Sequence, residues 1–183
     1  MLSPSHDDAL MALALAEAET ALAEREVPVG CVFAVPAPSA GAGAGAAPAP
    51  PFALLATARN RTNATFDPTR HAEMVALEAL GEGLPLAELR AALSCATLCV
   101  TVEPCLMCAD ALRRAGVGRV VFGCANDKFG GCGTVLDVLG GGEGGGGGPP
   151  VTRGVRAAEA VALLKRFYAR PNARTLGAGA EAP

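Results

Sequence analysis

The sequence predicts an α/β fold in which a mixed β-sheet is flanked by helices. Apolar and β-branched runs of strand length alternate along the 183-residue chain with segments whose apolar residues recur at helical spacing. One such unit, from Thr97 to Phe122, is a strand, a helix and a second strand, which predicts a parallel crossover. A predicted hairpin precedes it, so parallel and antiparallel strand pairs should share one sheet.

The individual elements follow from local signals in chain order. Asp7 and Asp8 suit the positive end of a helix dipole and open the first helix, which ends within residues 24–28. Strands are predicted at 29–35, 52–58, 97–102 and 119–122, with a short edge strand at 151–155. Helices are predicted at 71–80, 104–115 and 157–170, with a short helix or turn at 85–93. Gly81 and Gly116 are the expected stops of two of these helices.

Two low-complexity segments interrupt what we predict to be a single domain over residues 1–170. The segment 36–51 is rich in Ala, Gly and Pro and falls inside the first hairpin, whereas the segment 140–150 is mostly Gly. Neither can contribute to a core, so we expect flexible excursions on the domain. The small and polar residues 171–183 are expected to form a disordered tail.

The composition argues against a membrane protein and against a disulfide framework. No run of 18 apolar residues is present, and the first residues are polar and acidic rather than a secretory signal. The chain has seven cysteines, an odd number, so reduced thiols and metal ligation are favoured, in an intracellular protein of the cytoplasm, the nucleus or both. With a formal net charge of −3, a polyanionic partner would require a local basic patch or a second subunit.

Three residues at two predicted helix starts form a candidate zinc site. Cys105 and Cys108 are three positions apart and share one face at the start of a helix, where the dipole and free N–H groups stabilise thiolates. His71 begins another helix. One nitrogen and two sulfur ligands suit zinc. A missing fourth protein ligand is typical of a catalytic zinc site, because water can fill the open position.

Glu73 is the candidate proton carrier of this site. It follows His71 by two residues, so it can sit beside the metal without binding it and move a proton from water to a leaving amine. The pattern H-x-E followed by P-C-x-x-C is the signature of zinc-dependent nucleobase deaminases. Three other interpretations remain open at this point. They are a core or surface histidine, a redox Cys-x-x-Cys pair, and a structural zinc that recruits Cys124 or Cys132.

At these residues the chain resembles the tRNA adenosine deaminases of the cytidine-deaminase-like superfamily. The resemblance extends over residues 7–170, apart from the two low-complexity segments. Besides the zinc motifs, it rests on residues 24–30, 101–108, 122–133 and 164–168. The segment 122–133, FGCANDKFGGCG, is similar to the catalytic subunit of the eukaryotic heterodimeric enzyme that converts adenosine 34 of tRNA to inosine. The bacterial homodimeric enzymes usually have Asp where Asn126 stands.

The resemblance implies a cytidine-deaminase-like three-layer fold, a five-stranded mixed sheet between helices, with a zinc cofactor. It also implies a tRNA substrate and a related partner subunit that lacks the catalytic Glu, so Glu73 marks this chain as the active partner. Asn60 matches a position that contacts the target nucleoside, but it could equally cap a turn. Asn126 and Val29 are further candidates for the pocket wall, or plain loop and core residues. The candidate phosphate contacts, or else solvated surface charges, are Arg113, Arg114, Lys128, Lys165 and Arg166.

The predicted function is therefore zinc-dependent hydrolytic deamination of adenosine to inosine at tRNA wobble position 34. Two alternatives remain open. A deaminase of free cytosine, cytidine or guanine would share the zinc motif, although the segment 124–133 and the basic last helix favour tRNA. A non-catalytic, zinc-stabilised RNA-binding or scaffold subunit would have no use for Glu73.

Overall fold

The computed structural model describes residues 2–37, 51–141 and 147–170. Of the predicted excursions at 36–51 and 140–150, residues 38–50 and 142–146 lie outside these ranges, and so does the whole predicted tail at 171–183. The helices are a 3-10 turn at Pro4–His6, α1 (Asp7–Ala23), α2 (Thr62–Thr65), α3 (Ala72–Gly83), α4 (Leu86–Cys95), α5 (Leu106–Ala115) and α6 (Ala157–Tyr168). The strands are β1 (Gly30–Pro36), β2 (Phe52–Arg59), β3 (Thr97–Val102), β4 (Arg119–Cys124) and β5 (Val151–Thr152). Of the helices in the described ranges, none has the length and apolar character needed to cross a membrane.

The five strands form one mixed sheet in the order β2-β1-β3-β4-β5. β1 pairs antiparallel with β2 on one side and with β3 on the other, where Cys31 lies opposite Val100. β3 and β4 are parallel, with Leu98 opposite Val120, and the short β5 is parallel to β4. The mixed sheet and the parallel crossover through α5, both predicted from the sequence, are confirmed.

Side chains alternate along the strands between two apolar clusters, one on each face of the sheet. Cys31 and Phe33 of β1 belong to the cluster that includes residues of α3, α4 and α5. Val32 and Ala34 belong to the cluster that includes residues of α1 and α6. The fold is thus a three-layer sandwich of helices, sheet and helices. We call the face covered by α3, α4 and α5 the site face, and the face covered by α1 and α6 the support face.

The support face is joined to the sheet by close packing and by a buried ion pair. Gly30 of β1 lies so near α1 that an added Cβ would collide with the carbonyl oxygen of Ala14. Asp7, at the start of α1, accepts two hydrogen bonds of 2.6 Å from the guanidinium of Arg119, and both side chains are buried. Asp7 therefore connects α1 to β4, which is more than the dipole interaction that the sequence predicts.

One predicted helix end is wrong. Gly81 is the expected stop of α3, but the helix continues to Gly83. An added Cβ at Gly81 would meet nothing within 4 Å, so this glycine is an exposed helix residue. Such a glycine costs a helix about 1 kcal/mol relative to Ala, which does not break it. The helix ends where Pro85 follows, because a residue before proline, here Leu84, favours the extended backbone that it has.

Candidate metal centre and the loops around it

His71 and Cys105 occupy equivalent positions, each as the N-cap residue of a helix on the site face. Both have extended backbones, with ψ values of 156° at His71 and 171° at Cys105, so each side chain stands just ahead of its helix. Cys108 lies in the first turn of α5, on the same face as Cys105. α3 and α5 share one apolar cluster, which brings their N-termini together.

The donor atoms of these three residues converge. His71 Nδ1 lies 3.5 Å from Cys105 Sγ and 3.6 Å from Cys108 Sγ, and all three donor atoms lie within 4.8 Å of one another. Within residues 2–37, 51–141 and 147–170, this is the one group of His, Cys, Asp and Glu side chains close enough to hold a metal ion. Cys124 and Cys132 are outside it. A set of one imidazole and two thiols fits zinc.

Cys105 is the thiolate of this group. A hydrogen bond from Cys108 lowers the pKa of Cys105 to about 4, and the neighbouring His71 also lowers it, against the opposing effect of burial. The same Cys105–Cys108 hydrogen bond raises the pKa of Cys108, because the two sulfurs share a proton. Because the thiolate is the form of cysteine that binds metals, the lowered pKa of Cys105 favours metal binding.

Glu73 lies in the first turn of α3 and is 3% exposed. Burial raises the pKa of its carboxyl group to about 6. The carboxyl group also hydrogen-bonds to Cys108, yet Glu73 is not one of the three grouped donors. A buried acid with a pKa near neutrality can both accept and release a proton, which is what general acid–base catalysis requires.

Asn60 is buried at the point where the chain passes from β2 towards α3. Its backbone N–H donates to the carbonyl oxygen of Val29 over 3.1 Å, and its Oδ1 accepts a 2.8 Å hydrogen bond from the N–H of Ala72. The side-chain oxygen therefore caps α3, immediately beside His71. Val29 is half-buried against the site-face cluster. The amide nitrogen of Asn60 is not used in the capping contact and is the group left to meet a ligand.

Asn126 lies in the loop that follows β4. Its Oδ1 accepts a 3.1 Å hydrogen bond from the N–H of Phe129, and its own N–H donates to Glu103 Oε2 over 3.0 Å. The side-chain oxygen thus shapes the loop, as expected of a loop asparagine. The half-buried amide nitrogen is the part of Asn126 that a pocket would use.

The five predicted phosphate contacts do not form one patch. Arg113 and Arg114 are both paired with Asp110, at 2.9 and 2.6 Å, in the last turns of α5. They lie about 12 Å along the helix axis from Cys105, at 1.5 Å per residue. Lys165 and Arg166 are exposed on α6, which packs on the support face. Of the five, the structure places Lys128 in the loop beside Cys105, where it is exposed.

A buried glutamate that the sequence analysis missed holds the loop of residues 60–71, which we call the His loop. Glu26 is 1% exposed, and its carboxylate accepts hydrogen bonds from Thr62 Oγ1 at 3.1 Å, Asn63 N at 3.0 Å and Ala64 N at 2.7 Å. Three donors on one acid fix the short α2 in place. Together with the Asn60 cap, this contact defines the route of the chain to His71.

A second missed glutamate, Glu103, holds the loop of residues 125–134, which we call the Cys loop. Glu103 is 1% exposed and accepts backbone hydrogen bonds from Asn126 at 3.0 Å, Cys132 at 3.1 Å and Thr134 at 3.2 Å. Burial raises the pKa of Glu103, but hydrogen bonds from the Thr134 side chain and from these backbone N–H groups outweigh burial and bring the pKa below its ordinary value. The signal in the sequence that could have identified Glu103 is its position as an acidic residue directly after a buried, β-branched strand.

The comparisons with known proteins agree with this geometry. The family model of the cytidine and deoxycytidylate deaminase zinc-binding region matches residues 52–124. tRNA-specific adenosine deaminase 2 of Danio rerio is 44% identical over 122 residues, which are 65% of this chain and 57% of that protein. The protein of the same name from Xenopus tropicalis is 41% identical over 122 residues, which are 65% of this chain and 72% of that protein. The chain belongs to the tRNA-specific adenosine deaminase 2 family.

A solved structure from a study of A-to-I editing by tRNA:A34 deaminases at the wobble position of transfer RNA supports the same placement. It is 28% identical, has a TM-score of 0.66, and the match covers 85% of this chain and 99% of that one. The predicted cytidine-deaminase-like fold and the resemblance to tRNA adenosine deaminases are confirmed. Within the tRNA-specific adenosine deaminase 2 family the match is partial, since the chain covers 57% of the length of the zebrafish relative.

Proposed function

We propose that this chain catalyses the zinc-dependent hydrolytic deamination of adenosine to inosine at wobble position 34 of tRNA. The observation that carries the proposal is the convergence of His71, Cys105 and Cys108 with the buried acid Glu73 beside them. A structural zinc site has no use for such a carboxyl group, so the arrangement favours an enzyme over a scaffold. The relatives and the solved A34 deaminase structure support adenosine in tRNA as the substrate.

In this proposal His71, Cys105 and Cys108 hold the metal, and Glu73 carries the protons. When bound, a zinc ion lowers the pKa of water towards neutrality and so supplies the nucleophile. The Glu73 carboxylate accepts a proton from the water that attacks C6 of adenine and delivers it to the departing amine. Water is consumed and ammonia released, which leaves the carbonyl group of inosine. Asn60 and Val29 form the wall beside His71, where the Asn60 amide can hydrogen-bond to the flipped-out base.

We also propose that a related, non-catalytic deaminase-like subunit supplies most of the tRNA-binding surface. Nucleic-acid affinity depends on clustered Lys and Arg contacts to phosphates. Here the net charge is −3, Arg113 and Arg114 are paired with Asp110, and two other candidates lie on the support face. A chain with this charge distribution should bind tRNA weakly by itself. A tRNA substrate places the enzyme inside the cell, in the cytoplasm, the nucleus or both.

The test is an assay for inosine. The purified chain, with and without a candidate partner, is incubated with an anticodon stem-loop that carries adenosine 34, and the digested RNA is analysed for inosine. We expect inosine from the pair, little from the chain alone, and none when Glu73→Ala replaces the wild type. Free cytosine, cytidine and guanine are assayed in parallel, since turnover of these without the stem-loop would replace the proposal with a free-base deaminase. Zinc-loaded protein that is inactive on every substrate would indicate a scaffold subunit.

A further inference from the structure

The Cys loop is hydrogen-bonded to the helix start that carries both cysteines. The N–H of Leu106 donates to the carbonyl oxygen of Phe129 over 2.9 Å, and the N–H of Gly131 donates to that of Pro104 over 2.8 Å. Cys105 and Gly130 pair as an antiparallel bridge between these bonds. The N–H of Leu106 belongs to the first turn of α5, where a helix has no internal partner for its donors. The loop therefore caps the metal-binding turn.

Two adjacent glycines let the loop lie between Glu103 and α5. An added Cβ at Gly130 would stand 2.6 Å from Glu103 Oε2 and 2.7 Å from the carbonyl oxygen of Asn126. An added Cβ at Gly131 would stand 2.6 Å from the Cβ of Ala109 and 3.0 Å from the carbonyl oxygen of Cys105. A larger residue at either position would therefore force the loop away from Glu103 or from α5.

The N–H groups of this loop need a partner that only accepts hydrogen bonds, and the carboxylate of Glu103 is such a partner. A carboxylate only accepts hydrogen bonds, and the three N–H groups that it meets, from residues near both ends of the loop, only donate them. Glutamine has the same shape, but its amide nitrogen would face a donor in either orientation. At least one backbone N–H of the loop would then lose its hydrogen-bond partner.

We infer that Glu103 is a positioning residue which, through the Cys loop, holds the first turn of α5 and so keeps Cys105 and Cys108 facing His71. Glu103 itself is not one of the grouped donors, and it acts on the site through backbone hydrogen bonds. Groups that orient metal ligands from behind typically change metal affinity by about 10- to 100-fold when removed. The inference rests on the proposed zinc site, and it adds a positioning residue that is not one of the three metal donors.

The test compares Glu103→Gln with two matched variants of the full-length chain. Glu26→Gln makes the same change at the His loop, because the Glu26 carboxylate is also buried and also accepts three hydrogen bonds from the loop it holds. Leu163→Ala removes a buried side chain from the support face, so it lowers the melting temperature without touching either loop. For each protein we would measure zinc content, the rate of zinc release to a chelator, and backbone amide hydrogen exchange. No RNA is involved, so a failure of the proposed deamination would not affect these readouts, and a wild-type chain without zinc would count against the proposed function.

We expect Glu103→Gln to release zinc about ten times faster and to exchange the amides of residues 126–134 at least about ten times faster than wild type. Glu26→Gln should raise exchange at residues 62–64 and leave the Cys loop protected. Leu163→Ala should leave both loops and the zinc release rate unchanged. If Glu103→Gln does not fold, Gly130→Ala serves instead, because its Cβ pushes the loop away from an intact Glu103. Wild-type amide protection and wild-type zinc release in these Cys-loop variants would overturn the inference. Zinc release from Leu163→Ala as fast as from Glu103→Gln would overturn it too.

Discussion

The two faces of the sheet bury charge in different ways. On the support face, Asp7 and Arg119 neutralise each other through two hydrogen bonds of 2.6 Å. On the site face, Glu73 is buried with no Lys or Arg in salt-bridge distance among the described residues, and burial raises its pKa to about 6. A paired charge stabilises the structure in one protonation state, whereas an unpaired buried acid is able to change its protonation state. The buried charges of the support face thus serve stability, whereas the buried acid of the site face is suited to proton transfer.

The largest expected effect is a loss of activity from the site face, with the fold left intact. Glu73→Ala should lower the rate of inosine formation by about 10²- to 10⁴-fold, because general acid–base catalysis supplies about that much. Zinc content and melting temperature should stay at wild-type values, since Glu73 is not a metal ligand. Single-turnover kinetics with an anticodon stem-loop, metal analysis and thermal unfolding measure the three quantities. Near-normal turnover in this variant would refute the role of Glu73.

The next largest effect lowers the stability of the support face and leaves the reaction rate unchanged. Asp7→Ala leaves the buried guanidinium of Arg119 unpaired and should lower the free energy of unfolding by about 3–5 kcal/mol. The turnover number of the folded fraction should not change. The double variant Asp7→Leu with Arg119→Met is the control, because two apolar side chains remove the unpaired charge and should recover much of the loss. Urea unfolding of the three proteins measures the free energies, and a loss in Asp7→Ala below about 1 kcal/mol would show that the pair contributes little.

A smaller effect distinguishes two residues of the site face, Asn60 and Asn126. Asn60→Ala should reduce activity more than Asn126→Ala, because Asn60 both caps α3 beside His71 and stands at the pocket wall. Loss of a helix cap alone costs about 0.5–2 kcal/mol of stability. Asn60→Asp separates the two roles, since it keeps the oxygen that accepts from Ala72 but lacks the amide nitrogen. We expect Asn60→Asp to restore the melting temperature without restoring activity, and equal activity in both alanine variants would mean that the pocket wall lies elsewhere.

The smallest effect concerns charges that lie outside the site. Replacing Lys165 and Arg166 by alanine should weaken tRNA binding by the proposed heterodimer, leave the zinc site unaltered, and reduce the salt slope of binding by about two. The loss should shrink as the salt concentration rises. Replacing Arg113 and Arg114 should change binding less, because Asp110 already pairs with both. Binding titrations at several salt concentrations test this order, and tight tRNA binding by the isolated chain at physiological salt would indicate a homodimer instead.

The fold was predictable wherever a local pattern decided the element. β3 has the predicted bounds at Thr97–Val102, since the run is β-branched and ends before Glu103 and a proline. The apolar face of α1 was less predictable. Helical spacing from Leu10 predicts that Leu13 faces the core, but Leu13 is 36% exposed, whereas Met11 and Leu15 are buried. Apolar residues occur all round this helix, so periodicity does not decide which stripe meets the sheet. Tyr168 of α6 is also expected on the apolar side, yet it is 71% exposed.

Some residues of the candidate site can likewise be identified from short sequence motifs, whereas others depend on contacts between residues far apart in the chain. The three candidate zinc donors and Glu73 are proposed from spacing within two short motifs, and the fold brings the three donors together. Glu26 and Glu103 cannot be proposed in this way, because their hydrogen-bond partners lie 37 and 29 positions away, at Asn63 and Cys132 respectively. A backbone N–H is present at almost every residue, so donors of this kind do not mark in the sequence which acid they will meet. The role of the acid becomes visible when the fold brings the loop to it.

The hairpin of β1 and β2 offers a place to attach a reporter. The two strands meet near Asn60 at one end, and at the other end Ala37 donates a 3.2 Å hydrogen bond to the carbonyl oxygen of Pro51. Seven paired positions separate these ends, or about 23 Å of strand at 3.3 Å per residue. A fluorescent protein or affinity tag spliced between Ala37 and Pro51 would thus enter far from the metal centre. Since doubling the length of a closed loop costs only about 0.6 kcal/mol, a short tag grafted there should cost the fold little stability.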